Sequence, residues 1–226
     1  MQQHGQIGFR IRTDVPRTGD DIVERFRGMA SPNVADAMGR FHFMDPAIRQ
    51  RSALPLCGVA VTVDARPADN LMVHKALELA RPGDIVVVST NGNTTSAVFG
   101  ELMCHTAVAA RLGGIVVDGA IRDVEAITML GFPAFSRTVC AGGCDKDGPG
   151  EVNVPIACGN AVVMPGDLVI GDADGVVVVP REEAAEVLQL VMALMERERK
   201  RVAEIASGML FKGEINDTLT KKGVLR

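Results

Sequence analysis

No tryptophan or tyrosine occurs in the 226 residues, and phenylalanine occurs only eight times. Stacking platforms for single-stranded nucleic acid or sugar rings are not expected, because such surfaces are built from clustered aromatics. Excess positive charge is missing too: 24 Lys and Arg stand against 28 Asp and Glu, a net charge of −4. A nucleic-acid partner, which calls for a basic patch or stripe, is therefore not expected. No stretch of 18 or more apolar residues is uninterrupted, and Met1 to Asp14 contains no apolar signal segment. A cytoplasmic protein that makes no membrane contact is expected. Cysteines number five, an odd count that points to reduced thiols rather than a disulfide frame. Cys140 and Cys144 are spaced Cys-x-x-x-Cys with nothing nearby to complete a zinc set, and read as loop or packing thiols.

What is present is a globular chain. Hydrophobic residues make up 47% and charged residues 23%, which excludes disorder. A chain of this size buries roughly 70% of its surface, so its core requires neither disulfides nor a structural metal. Its 24 glycines exceed the usual frequency of about 7% and imply tight turns and close backbone approaches.

Residues 1–17 are polar and unpatterned, an N-terminal arm ending near Pro16. Two short helical patterns follow, with Thr18 placed to cap residues 20–27 and Ser31-Pro32 opening a run to Met38. Leu56 to Asp64 (LCGVAVTVD) and Asp84 to Ser89 (DIVVVS) read as strands on either side of a helix opened by Asp69-Asn70 and closed by Pro82-Gly83. A polar turn is expected over Thr90 to Thr95, then a helix from about Ser96 to Leu112, a short strand Ile115 to Asp118, and a helix opened by Asp123. Beyond Gly131 the pattern changes to short strands: Ala134 to Val139, Val152 to Val154, Ala161 to Val163, Asp167 to Ile170 and Gly175 to Val179. The β-α alternation therefore stops, and a layered α/β domain with a mixed or barrel-like β core over residues 18–180 is expected instead of a doubly wound sheet. Residues 181–226 hold a long helix and a tail. The helix's apolar stripe (Val187, Leu188, Val191, Met192, Met195) fades into Glu196-Arg197-Glu198-Arg199-Lys200-Arg201, which would project over a neighbouring subunit or into solvent.

Two segments carry candidate chemistry. Gly100-Glu101-Leu102-Met103 stands near a helix start, where unpaired N–H groups and the helix dipole bind a carboxylate, and Gly100 has no Cβ to block a ligand. Arg122-Asp123 follows an apolar strand, offering a bidentate anion holder beside an oxygen ligand for a hard cation. Brought together, they would suit a 2-oxo acid, its carboxylate on the Leu102 and Met103 amides and its keto oxygen on metal and Arg122. The bland readings are a packing glycine at 100 and a helix cap at Asp123. His74, His105, Asp172 and Asp174 read as packing, surface or turn residues, and Asp69-Asn70 as a cap.

The runs GDIVVVS, FGELM and GGIVVDGAIRDVEAI, flanked by VADAMGRF, GVAVTV, ADNLMVHKAL, FPAFS, GEVNVPI and PGDLVIGDADGVVVV, resemble the RraA-like family. That family includes class II pyruvate aldolases cleaving 4-hydroxy-4-methyl-2-oxoglutarate and 4-carboxy-4-hydroxy-2-oxoadipate. The resemblance implies a swivelling β/β/α-type fold assembled as homotrimers or homohexamers. It implies an enzyme releasing pyruvate through a metal-stabilised enolate, with oxaloacetate decarboxylation as a second activity. Gly100 to Met103 match the substrate-carboxylate loop, Arg122 the substrate arginine and Asp123 the ligand of Mg²⁺ or Mn²⁺. Glu101 stands where the aldolases often have Asp, whose carboxylate contacts water on the metal. A glutamate from a neighbouring subunit's C-terminal helix aligns best with Glu198, otherwise with Glu196. After Gly208 the tail MLFKGEINDTLTKKGVLR departs from the tricarboxylate-cleaving aldolases and leaves the natural substrate open. The rival reading is a non-catalytic regulator that binds ribonuclease E, as the family's founding member does.

Overall fold

The computed structural model describes residues 1–225. In chain order they form β1 (Gln2–His4), β2 (Ile11–Thr13), α1 (Asp20–Phe26), α2 (Ser31–Ala37), β3 (Arg49–Gln50), β4 (Leu56–Ala65), α3 (Leu71–Leu79), β5 (Ile85–Ala97), α4 (Glu101–Ala109), β6 (Gly114–Ile121), α5 (Val124–Met129) and β7 (Ala134–Val139). There follow β8 (Gly150–Val152), β9 (Ile156–Cys158), β10 (Ala161–Val163), β11 (Leu168–Asp172), β12 (Gly175–Val179), α6 (Ala184–Ala206) and α7 (Gly213–Lys221). Strands β4 to β7 run parallel, which requires the crossover helices α3, α4 and α5 between them. Strands β3, β8, β11 and β12 join antiparallel, so the sheet is mixed.

Alternation along the strands sorts the apolar residues into three cores, because successive side chains point to opposite faces. Val86 and Val88 of β5, with Ile115 and Val117 of β6, pack against Val73, Ala76, Met103 and Ile127 of the crossover helices. Ile85, Val87, Val116 and Phe135 face the other way, onto Ile156, Val163, Val169, Val176 and Val178. The outer faces of β11 and β12 (Leu168, Ile170, Val177, Val179) are covered by Phe26, Val34, Val187, Leu188 and Val191 of α1, α2 and α6. Strands buried on both faces read as near-continuous apolar runs, as DIVVVS and GVVVV do. The expected layered β/β/α architecture is the one observed.

Strand β4 belongs to both halves. On one edge it pairs with β5 through Ala60–Asp64. Its other edge pairs with β11 at Leu56–Val59 and with β8 at Val63–Ala65. The polar N-terminal residues form the β1–β2 hairpin, whose Ile11 adds to β8 opposite Val152. Below it Arg17 clamps Asp84 at 2.6 Å, and the Asp84 carboxylate, 1% exposed, also accepts the Arg81 N–H at 2.8 Å. Asp84→Ala removes the carboxylate paired with a mostly buried guanidinium, and is expected to cost about 3 kcal/mol, read as a lower urea midpoint at unchanged slope.

Three local expectations are corrected. Thr90 to Thr95 is strand rather than turn. β5 continues to Ala97 because Asn93 and Ala97 still pair with Gly119 and Ala120 of β6, across register shifts beside the left-handed Asn91 and Gly92. The helix expected from Ser96 spans only Glu101–Ala109, since residues up to 97 are held in that ladder. Thr18 does not cap α1: its hydroxyl donates to the Gly166 carbonyl at 3.0 Å, fastening the arm to the β10–β11 turn. Helix α6 at 1.5 Å per residue runs about 35 Å, and only part of its expected stripe is buried: Val187, Leu188 and Val191 pack inward, whereas Met192 and Met195 are exposed because the core under the helix ends at Val191. No helix among the described residues is long and apolar enough to cross a membrane.

Candidate active site

The carboxyl ends of β5 and β6 are zipped beyond the regular ladder. Val98 N–H donates to Ala120 O at 3.1 Å and Arg122 N–H to Phe99 O at 3.0 Å, which lays residues 98–100 against 120–122. Phe99 is buried and stacks on Phe132, ring centroids 6.0 Å apart, so this junction is anchored in the core. Gly100 then opens α4. The first intrahelical bond joins Cys104 N–H to Gly100 O at 3.0 Å, and no side chain of the helix caps its start, so the Leu102 and Met103 amides precede the ladder.

Asp123 takes a left-handed conformation, φ 57°, which Asp tolerates better than most residues. Although it stands at the N-cap position of α5, it makes no cap bond there. Its Oδ2 instead accepts the Glu101 N–H of α4 at 3.0 Å and lies 3.5 Å from Arg122 Nε. The cap reading of Asp123 is thus corrected in an instructive way: the carboxylate serves the neighbouring helix. The glycine at 100 is explained by the same contact, because a Cβ built there would lie 2.6 Å from Asp123 Oδ2 and 3.0 Å from Arg122 Cγ. Its φ of −157° is ordinary extended backbone, so close approach and not conformational freedom demands glycine.

Gly100, Glu101, Leu102, Met103, Arg122 and Asp123 line a single cavity of about 400 Å³. Residues from two other segments complete its wall: Asn70 and His74 of the α3 start, and Gly143, Cys144 and Lys146 of the loop after β7. Those segments are tied by Asp145 N–H to Ala68 O (2.8 Å) and Asn70 N–H to Asp145 O (3.0 Å). Burial and the Lys146 ammonium hold His74 below its ordinary pKa, which favours the neutral imidazole. Burial raises the Cys144 thiol, which makes it a packing group rather than a thiolate. Asn70, His74, Cys144 and Lys146 were not legible as site residues, since only the long-range pairing of 68–70 with 145 brings them to the cavity.

Other candidates lie elsewhere. Within one chain Glu198 is not in the cavity: it sits on α6 and accepts from Asn33 Nδ2 of α2 at 2.5 Å. Glu196 pairs with Arg199 at 2.8 Å, a hydrogen bond that holds its carboxyl below the usual range. His105 is exposed on α4, 3.8 Å from Glu101 Oε1, one turn beyond the cavity wall. Asp172 caps α2 through Ser31 N–H and hydroxyl at 2.7 and 2.6 Å, so the Asp-Ala-Asp-Gly turn is structural. Cys140 and Cys144 are free thiols.

Among the described residues no three His, Cys, Asp or Glu side chains converge as a ready-made metal cage. The donor set nevertheless fits a hard cation shared with a ligand. Asp123 commits Oδ2 to the Glu101 N–H and, among the described residues, leaves Oδ1 without a hydrogen bond, and Glu101 itself lines the same cavity. Mg²⁺-type ions are commonly held by one or two carboxylates, with substrate oxygens and water filling the octahedron.

Comparison with known proteins finds relatives of this chain. The RraA-like family, described as Aldolase/RraA, matches residues 31–178. A Halalkalibacterium halodurans protein provisionally named 4-hydroxy-4-methyl-2-oxoglutarate aldolase is 38% identical over 75% of this chain and 81% of its own. A crystal structure of an uncharacterized protein from Pseudomonas syringae pv. tomato superposes with a TM-score of 0.76 at 27% identity, over 86% of this chain and 96% of that one. Streptomyces coelicolor RraAS2, described as an unusual member of the RNase ES inhibitor RraA protein family, gives 0.73 at 24% identity, over 84% and 100% of the two chains. At that identity the likeness is one of fold.

Proposed function

Since this chain belongs to the RraA-like family, we propose that it is a divalent-metal-dependent aldolase cleaving 4-hydroxy-2-oxo acids, such as 4-hydroxy-4-methyl-2-oxoglutarate, to pyruvate. The observation that carries this reading is the convergence of the α4 N-terminus, Arg122 and Asp123 on one cavity. Retro-aldol cleavage removes the C4 hydroxyl proton and breaks the C3–C4 bond. The bonding pair moves into the pyruvyl half as an enolate, C4 becomes a carbonyl, and a proton added at C3 completes pyruvate. Oxaloacetate gives the same enolate by losing CO₂, hence the decarboxylase side activity.

Each residue has a task in that sequence. The Leu102 and Met103 amides hold the pyruvyl carboxylate at the positive end of α4. Arg122, beside Asp123, presents its guanidinium to the keto oxygen where charge develops. Asp123 would hold Mg²⁺ or Mn²⁺, which when bound would supply Lewis-acid stabilisation of the developing negative charge. Glu101, a residue of the cavity lining, takes the outer role of a carboxylate that would contact water on the cation. No lysine is needed as a Schiff-base former. The charged outer half of α6, with Glu198 or Glu196, approaches the cavity of a neighbouring copy in a homotrimer or homohexamer.

The test is pyruvate release from oxaloacetate and from 4-hydroxy-4-methyl-2-oxoglutarate, with Mg²⁺, with Mn²⁺ and with EDTA. Turnover of both compounds that EDTA abolishes and either ion restores is expected. Folded, metal-supplied protein that turns over neither compound would overturn the enzyme reading in favour of a protein-binding regulator.

A further inference from the structure

The β1–β2 hairpin precedes residues 31–178, the part of the chain that the RraA-like family matches, so family chemistry does not account for it. Its turn meets the loop between β7 and β8, which supplies one wall of the cavity. The Gly8 and Arg10 carbonyls accept the Gly150 and Val152 N–H groups at 2.8 and 2.9 Å. The buried Glu151 carboxylate fastens the turn, taking the Gly8 N–H at 2.6 Å and the Arg10 guanidinium at 2.6 Å. Held in this way, Phe9 lays its ring on Gly148, where a built Cβ would lie 2.6 Å from Cε1 and 3.0 Å from Cζ. The ring takes the place that a side chain at 148 would fill.

Gly148 ends a loop that is tied down on both sides. At its start, Gly142 O accepts the Ala97 N–H at 2.8 Å, and a Cβ built at Gly143 would stand 3.2 Å from Arg122 Nη1. At its end, Asp69, 1% exposed, accepts the Asp147 and Gly148 N–H groups on Oδ2 at 2.8 Å each. Gly148 is therefore gripped at its N–H by Asp69 and at its α-carbon by Phe9. Between the two ties stand Gly143, Cys144 and Lys146, which line the cavity. Residues 140–149 connect β7 to β8 through one isolated bridge, Asp69 to Asp145, so these ties set their shape.

Resting on the aldolase reading above, we propose that Phe9 is a positioning residue: seated on Gly148, it holds the loop 143–148 in the arrangement that receives the ligand. Without the ring, Asp69 alone holds the end of the loop, and the receptive arrangement is populated for a smaller fraction of the time. Apparent affinity falls by that fraction, whereas the rate of the bound complex, whose loop is already in place, does not. Phe9 is itself 43% exposed, so its truncation spares the core.

The test measures KM and kcat for oxaloacetate decarboxylation at saturating Mg²⁺, and amide hydrogen exchange over residues 141–148. Wild-type, Phe9→Ala, Phe9→Leu and Ile11→Ala proteins are compared. Phe9→Ala is expected to raise KM about fivefold with kcat unchanged, the result of a loop in place about one fifth of the time, and to speed exchange at the Asp147 and Gly148 amides. Phe9→Leu, which keeps apolar bulk on Gly148, should recover most of the affinity. Ile11→Ala is the control for hairpin stability: Ile11 packs on the helix-covered core opposite Val152, so its truncation should lower the urea midpoint and leave KM and exchange over 141–148 unchanged. An unchanged KM in Phe9→Ala, or the same rise in Ile11→Ala, overturns the assignment and leaves the hairpin a cover for the β8 edge. Wild-type protein that turns over neither oxaloacetate nor 4-hydroxy-4-methyl-2-oxoglutarate overturns the aldolase reading instead. Exchange then decides Phe9 by itself, and unchanged protection of Asp147 and Gly148 in Phe9→Ala overturns its hold on the loop.

Discussion

Asp123→Ala is expected to lower pyruvate release by about 10³-fold while the protein still melts cooperatively. The side chain is only half-buried and its one backbone bond, to the Glu101 amide, is a helix cap worth about 1 kcal/mol. Stability therefore falls modestly. Activity falls far more, because the same substitution removes the carboxylate that would hold the cation and the group that orients Arg122. Asp123→Asn separates the two roles: asparagine accepts the left-handed backbone and can still receive the Glu101 N–H, so the melt should be restored and the rate should not. A rate recovered by asparagine would show that the carboxylate's charge is irrelevant. Initial rates and thermal melts on the three proteins, with saturating Mg²⁺, decide it.

Gly100→Ala is expected to lower kcat by about 10²-fold with little change in melting temperature. Alanine is compatible with the extended backbone at this position, so the fold is not strained. The added methyl, however, would occupy space 2.6 Å from Asp123 Oδ2 and 3.0 Å from Arg122 Cγ. Both side chains are partly exposed and can retreat, which spares the protein and spoils the site. Displacing a catalytic constellation by about an ångström typically costs that hundredfold. A variant with wild-type kcat would mean that Arg122 and Asp123 work from positions other than those seen here. An Asp123→Ala background provides a control: with the carboxylate gone, the alanine at 100 should cost little more, since the two substitutions act through the same contact.

Much of the fold was legible because local physics dominated it. DIVVVS, GGIVVD and GVVVV announced doubly buried strands, and the switch to short strands after Gly131 excluded a doubly wound sheet. The stretch over Thr90 to Thr95 misled because its polar residues promise a turn; the ladder to β6 continues there through a bulge, a non-local fact. At the site, Gly100 to Met103, Arg122 and Asp123 were legible one segment at a time, and the structure supplies their meeting. Asn70, His74 and Lys146 could not be placed. The pairing of Asp69 with Asp145 that delivers them spans more than seventy residues, and neither segment carries a signal for the other. Asp123 shows the limit of local rules most clearly: it stands where a cap of α5 is expected, but its carboxylate bonds the start of α4, 22 residues earlier in the chain.

Strand β4 contributes Val61 and Val63 to one core, Leu56 and Ala60 to the second and Cys57 and Val59 to the third. A single ten-residue segment thus serves as a shared wall for every apolar compartment of the protein. Neither the helix-covered parallel half nor the antiparallel half carrying α6 can detach without taking this wall from the other, so the two halves unfold as one cooperative unit. The loops that line the candidate site follow β5, which pairs with this wall, and β6, which pairs with β5. Their geometry inherits the stability of the whole molecule rather than that of any single layer.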